Sequence, residues 1–319
     1  MAVSARTLAP TRGQVLLAFI AVYVLWGSSY ISIRLAIESV PPFLMSGTRN
    51  LIAGLILATW AFSRGAPRPR AIEVRATAVT GLFMLCLGNG TVTWGEKFTA
   101  SGRVALIVAM TPVWFVLIEW LRPGGTRPSK TLMTGLAIGA SGVALLVGAD
   151  ALSGTHGTTA TIAELVVLCG SLSWALGSMY SRHAPLPESS ALASAMQMLF
   201  AGFYLVSFGA ASGEAHAFHL SDVTTRSAIA FAYLVAGPSL IGYSAFVWLL
   251  KVSTPAKVGT YGYVNPVIAV FLGWLIAGEA VTARMITATC VIVAGVALIT
   301  FARTPQPAAR EPEPESEHA

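Results

Sequence analysis

Ten long apolar runs joined by short linkers constrain this chain more than anything else in it. They cover residues 15–37, 43–63, 75–94, 100–121, 132–149, 162–181, 191–211, 228–250, 258–277 and 286–301. About 20 mainly apolar residues suffice for a helix to cross a bilayer. Transmembrane strands are shorter and alternate in polarity, whereas these runs are continuous, so they read as helices. Only 11% of the 319 residues are charged and mean hydropathy is +0.70. A soluble domain carries about 25% charged residues, so the composition excludes a soluble globular class.

The net charge of +6 does not signal nucleic acid. The basic residues sit in the linkers, where they act as topology determinants. With the N-terminus in the cytoplasm, 14 Lys and Arg fall inside, 5 outside, and Arg49 lies within a run. Both termini are therefore expected in the cytoplasm. The first run lacks a small-residue cleavage site and reads as a first helix rather than a cleaved signal. Cys86, Cys169 and Cys290 have no metal-ligand or disulfide spacing and read as small packing residues. Residues 303–319 are rich in Glu and Pro and read as a disordered cytoplasmic tail.

The chain repeats itself. A shift of 154 residues superposes Gly88, Trp94, Lys97, Val104, Pro112, Val113, Val116 and Trp120 on identical residues, eight identities in 33 positions. The earlier helices repeat at a shift of 148, which carries Trp26 to Trp174 and Leu51, Ala53 and Gly54 to Leu199, Ala201 and Gly202. The six-residue difference fits a longer loop at 213–226. Each unit holds five apolar runs, an odd number, so the second copy enters the membrane upside down. Inverted repeats of this kind suit two halves that exchange conformations, as in secondary transporters.

Several motifs carry a family resemblance. They are Leu25-Trp26-Gly27-Ser28-Ser29-Tyr30, Leu87-Gly88-Asn89-Gly90, Ser173-Trp174-Ala175-Leu176-Gly177-Ser178, Tyr263-Val264-Asn265-Pro266-Val267 and Gly278-Glu279. With them the chain resembles the EamA-type branch of the drug/metabolite transporter superfamily, in the order of bacterial inner-membrane permeases. The resemblance implies an all-α membrane protein of ten transmembrane helices in two inverted five-helix repeats, at 14–150 and 160–302. It also implies a central cavity and export or exchange of small metabolites such as amino acids. One departure stands out: the first-half counterpart of Glu279 is Gly125.

Candidate site residues follow from the cost of polarity in lipid. Pro112 and Pro266 occupy matched places, and each removes a backbone donor and crowds the carbonyl of Val108 or Gly262. A paired break marks a binding site or a hinge, or else a packing kink. Asn89, Thr93 and Asn265 can bind a polar solute or simply bridge helices. Arg49 costs about 2.5–3.5 kcal/mol or more to insert at the membrane centre, which points to function or to a partner. Glu96, Glu119 and a solute carboxylate are the candidate partners, and snorkelling to the interface is the rival reading. Trp26, Tyr30, Trp174, Tyr180, Tyr243, Tyr261 and Tyr263 can line a cavity or serve as core. Of these, Trp26, Tyr30, Trp174, Tyr243 and Tyr263 are the substrate-binding expectations.

Gly135, Gly139 and Gly142 make a small-residue packing face. Glu214, His216, His219 and Asp222 cluster in an outer loop without a firm metal motif. No phosphate loop or nucleophile–base set is readable, so neither cofactor nor catalysis is expected. The expected function is secondary transport of a small-molecule solute by alternating access, with Glu96 and Arg49 as coupling charges and protons a candidate co-substrate. The expected setting is the lipid bilayer of the inner membrane, as a monomer. A lipid scramblase or a channel is the alternative.

Overall fold

The computed structural model describes residues 10–99, 101–152, 158–277 and 283–302, and every regular element among them is helical. Glu279 and the 303–319 tail lie outside the described residues. The main helices are α1 (Arg12–Ala36), α2 (Pro42–Ser63), α3 (Ala71–Gly95), α4 (Ser101–Val108 continued by Thr111–Leu121) and α5 (Lys130–Leu152). They are followed by α6 (Thr158–His183), α7 (Ser190–Ala211), α8 (Thr225–Val252), α9 (Pro255–Gly259 continued by Tyr261–Ala277) and α10 (Ala283–Phe301). The stretches Arg12–Ala36, Ala71–Gly95, Thr159–His183, Ser190–Ala211 and Thr225–Val252 are each long and apolar enough to cross a membrane. Large apolar side chains face outward, among them Leu17 at 67% exposed, Phe203 and Ile229, a surface suited to lipid rather than water.

Local chemistry sets the helix starts. Thr11 and Gln14 form a reciprocal capping box ahead of α1, and Ser189 and Thr224 cap α7 and α8. Helix α2 begins at a proline and takes its acidic cap from elsewhere. Gly213, in the left-handed conformation at φ 87°, turns the chain after α7 and presents Glu214. Its carboxylate accepts the Phe43 and Leu44 N–H groups at 3.4 and 3.0 Å. That contact gives the outer-loop acid a structural role. No cluster of three His, Cys, Asp or Glu stands together among the described residues.

Chain ends meet at two poles of the bundle. At the near pole, where α1 starts, Arg122 after α4 reaches His183 at the end of α6, 2.9 Å apart. At the far pole the Thr224 N–H donates to Ser39 Oγ. Between the poles, α2 packs on α7 through glycine. A Cβ added to Gly54 would stand 3.0 Å from the Ala195 carbonyl oxygen, and one on Gly202 would stand 2.9 Å from that of Gly47. The offset of 148 turns one contact into the other. Helices α5 and α10 make a second such seam, in which Gly135, Gly139 and Gly142 meet Ile299, Gly295 and Ile292.

Three local expectations change. Cys169 and Cys290 are exposed rather than packed between helices. The break in α4 falls at 109–110, so Pro112 sits in the first turn of the second segment, where a missing N–H costs nothing. The carbonyl freed at Val108 accepts the Thr111 hydroxyl at 2.6 Å. In α9 the break falls at Thr260, six residues ahead of Pro266, which is carried inside the helix.

The third helix of each half contains a feature no apolar period marks. Residues Gly81–Asn89 of α3 and Val235–Tyr243 of α8 are wound as π-helix. The two segments are related by the repeat offset of 154. Such wide turns are rare and concentrate at functional sites.

Candidate functional site

Both π segments face one cavity of about 80 Å3 between the halves. The first half contributes Trp26, Ser29, Tyr30 and Ile33 from α1, Arg49 and Asn50 from α2, and Gly88, Asn89 and Val92 from α3. Val108 and Thr111 flank the α4 break. The second half contributes Ser171 and Trp174 from α6, Pro238, Ser239 and Tyr243 from α8, and Tyr261 and Asn265 from α9. The lining of α1 to α3 lies in the part of each helix nearer the far pole. Toward the near pole the space is filled by Phe115, Phe246, Leu249, Leu250 and Val258, each at most 1% exposed.

Tryptophans mark the centre. Trp26 and Trp174, related by the 148 offset, meet edge to face with centroids 5.4 Å apart. Each packs on a glycine of the opposite half: a Cβ on Gly242 would lie 2.8 Å from Trp26 Nε1, and one on Gly88 would lie 3.0 Å from Trp174 Cβ. Tyr261 closes on Trp26 at 5.0 Å, and Trp26 Nε1 donates to the Pro238 carbonyl at 3.2 Å. That carbonyl belongs to the π segment, so the tryptophan holds the wide turn in place.

The polar groups also come in a matched pair. Arg49 of α2 donates through Nη2 to Asn89 Oδ1 at the last residue of the first π segment. At the two corresponding places, the Tyr243 hydroxyl donates to Gln197 Oε1 at 2.8 Å, from α8 to α7. Arg49 is only 4% exposed, so it does not snorkel. Its Nε has no protein partner, and neither has Oδ1 of Asn265, which is 2% exposed. The cavity lining thus combines aromatic walls with an arginine and an asparagine that each keep a buried polar atom unpartnered. A buried Arg favours a carboxylate, which can accept two of its N–H groups at once.

Not every expected residue reaches the cavity. Tyr263 is fully buried against α5, donating to the Leu136 carbonyl at 3.2 Å. Thr93 is buried and bonds the Asn89 carbonyl at 3.0 Å. Tyr180 is exposed on the outer surface. Pro112 and Pro266 stand behind the wall, which their neighbours Thr111 and Asn265 form. Glu119 pairs with Arg122 at 2.6 Å rather than with Arg49. Glu96 is 2% exposed and off the wall, with both carboxylate oxygens unpartnered. Sequence reasoning missed Asn50, Thr111, Ser171, Ser239 and Gln197. The signal for Gln197 was present, because the 148 offset maps Arg49 onto it.

Comparison with known proteins agrees with this architecture. The EamA-like transporter family matches residues 13–148 and 161–301. Over 288 residues the chain is 35% identical to "Uncharacterized inner membrane transporter YedA" of Escherichia coli (strain K12), covering 90% of each chain. It is 25% identical to "Probable terminal-alkyne amino-acid exporter" of Streptantibioticus cattleyicolor, covering 88% of this chain and 92% of that one. A solved crystal structure superposes with a TM-score of 0.73 at 20% identity over 91% of this chain and 97% of its own, which establishes a common fold alone. With an all-helical fold, membrane-length apolar helices and this match over both halves, the chain belongs to the EamA-like transporter family of membrane transporters.

Proposed function

We propose that the protein is a secondary transporter that moves small amphipathic metabolites carrying a carboxylate, amino acids among them, by alternating access. In this reading ten helices span the inner membrane as two inverted five-helix repeats, with both termini in the cytoplasm. The near pole is then cytoplasmic and the far pole external. The solute sits between the halves, its carboxylate on the free edge of Arg49, its donor groups on Asn265 and its apolar part among Trp26, Trp174 and Tyr261. Rocking of one half against the other exposes this site to each side in turn. The cargo named for the Streptantibioticus relative supports export of amino-acid-like solutes. A solute gradient or a proton gradient drives the cycle, and Glu96 is the carboxyl placed to take part.

The observation that carries the reading is a buried arginine with an unpartnered Nε on the wall of one cavity built by both halves. Uptake into proteoliposomes of the purified protein tests it, over labelled amino acids, other carboxylates, nucleosides and cationic drugs, with and without a pH gradient. Saturable uptake restricted to carboxylated solutes is expected. Movement of labelled lipid without solute uptake replaces the reading with a scramblase, and flux that never saturates replaces it with a channel.

A further inference from the structure

Two poles of a bundle built from repeats need not be fastened alike, and here they are not. At the near pole Arg182, near the end of α6, donates to the carbonyls of Leu250 and Ser253 at the end of α8. Beside it Lys251 Nζ reaches the Pro187 carbonyl at 3.4 Å. The repeat offsets carry Arg182 back to Arg34, Leu250 to Glu96, Lys251 to Lys97 and Ser253 to Thr99. The counterpart tie would therefore join Arg34, near the end of α1, to the end of α3.

That tie is absent in this conformation. Arg34 is exposed and shares no hydrogen bond or ion pair with the end of α3 among the described residues. Glu96 is buried with both oxygens empty, and Arg34 and Arg49 are the cations that act on it. A buried carboxyl group without partners is costly, and a conformation that pairs it relieves that cost. The cavity, meanwhile, lies on the far side of the sealed near pole.

We infer that Arg34 and Glu96 form the ion pair that closes the far pole in the alternate conformation. The inference rests on the transporter reading above. Exchange of conformation between the halves moves α1 and α3 into the relation now held by α6 and α8. Arg34 then approaches the end of α3, and Glu96 supplies a carboxylate where the second half has only the Leu250 backbone. As this pair forms, the Arg182 tie opens. The two fastenings are alternatives, and their balance sets which pole is closed.

Cysteine accessibility tests this without a known solute. Cys86, Cys169 and Cys290 are replaced by Ser, and Ser29, on the cavity wall, by Cys. A membrane-impermeant maleimide is then added to right-side-out and to inverted vesicles of the full chain. Labelling is expected from the far-pole side. Arg182→Ala, or Arg182→Gln if the first fails to insert, slows it, by up to about fivefold for the loss of one such tie. Adding Arg34→Ala or Glu96→Gln restores most of the rate. Arg34→Ala alone speeds labelling or leaves it unchanged. An unchanged rate in the Arg182 variants, no restoration in the double variants, or slowing by Arg34→Ala alone overturns the inference. Saturable solute uptake with labelling indifferent to these variants removes only the latch, whereas opposed labelling shifts without uptake remove only the solute assignment.

Discussion

In the first half Arg49 of α2 bonds Asn89 of α3; in the second half Gln197 of α7 bonds Tyr243 of α8, at the same two places in the repeat. The π segments, the tryptophan-on-glycine contacts and the α2–α7 seam are likewise duplicated. Duplicated backbone and divergent side chains separate two demands. Exchange of conformations needs halves alike in shape. Recognition of an asymmetric solute needs halves unlike in charge. In the transport reading proposed above, glycine and tryptophan serve the first demand and one arginine the second.

The sharpest way to break this comparison is Arg49→Gln, which gives the first half the residue of the second. Carboxylated solutes should lose about 100-fold in kcat/KM, as expected when one member of a buried charge-assisted contact is removed. Folded yield, read by size-exclusion chromatography in detergent, should hold. Unchanged uptake would mean that the charge difference does not serve recognition. Next come Gly54→Ala and Gly202→Ala, each of which drives a methyl group toward a partner carbonyl. Each should destabilise the protein by about 1–3 kcal/mol in thermal unfolding, and by similar amounts. A large inequality would show that the scaffolds differ after all. The smallest effect is expected from Tyr243→Phe, which deletes the bond to Gln197: about 1 kcal/mol of stability, with uptake affinity changed far less than by Arg49→Gln.

Much of the fold was legible because lipid leaves few options. Apolar runs located the helices, and the repeat marked Trp26 and Trp174 as a matched pair. The π turns were not legible, since α and π winding share the same apolar composition and Pro238 occurs in only one of the two segments. Aromatic identity did not separate Tyr243, which lines the cavity, from Tyr263, which points into α5. That distinction depends on helix rotation, which single residues do not encode. Small hydroxyl and amide residues such as Ser171 and Asn50 carry no distinguishing signal, because most such groups in membrane helices bond their own backbone, as Asn50 does to the Ser46 carbonyl at 2.8 Å.

The glycine seam between α2 and α7 has a mechanical consequence. At these points the backbones stand close, and the Leu51 and Leu199 side chains lie over the opposite glycines, so the two helices fit together at one separation. Lipid also supplies no hydrophobic pressure to clamp the pair. What remains is short-range dispersion, which falls off within an ångström of separation. The seam therefore resists being pulled apart, and side-chain volume added at either glycine wedges it open.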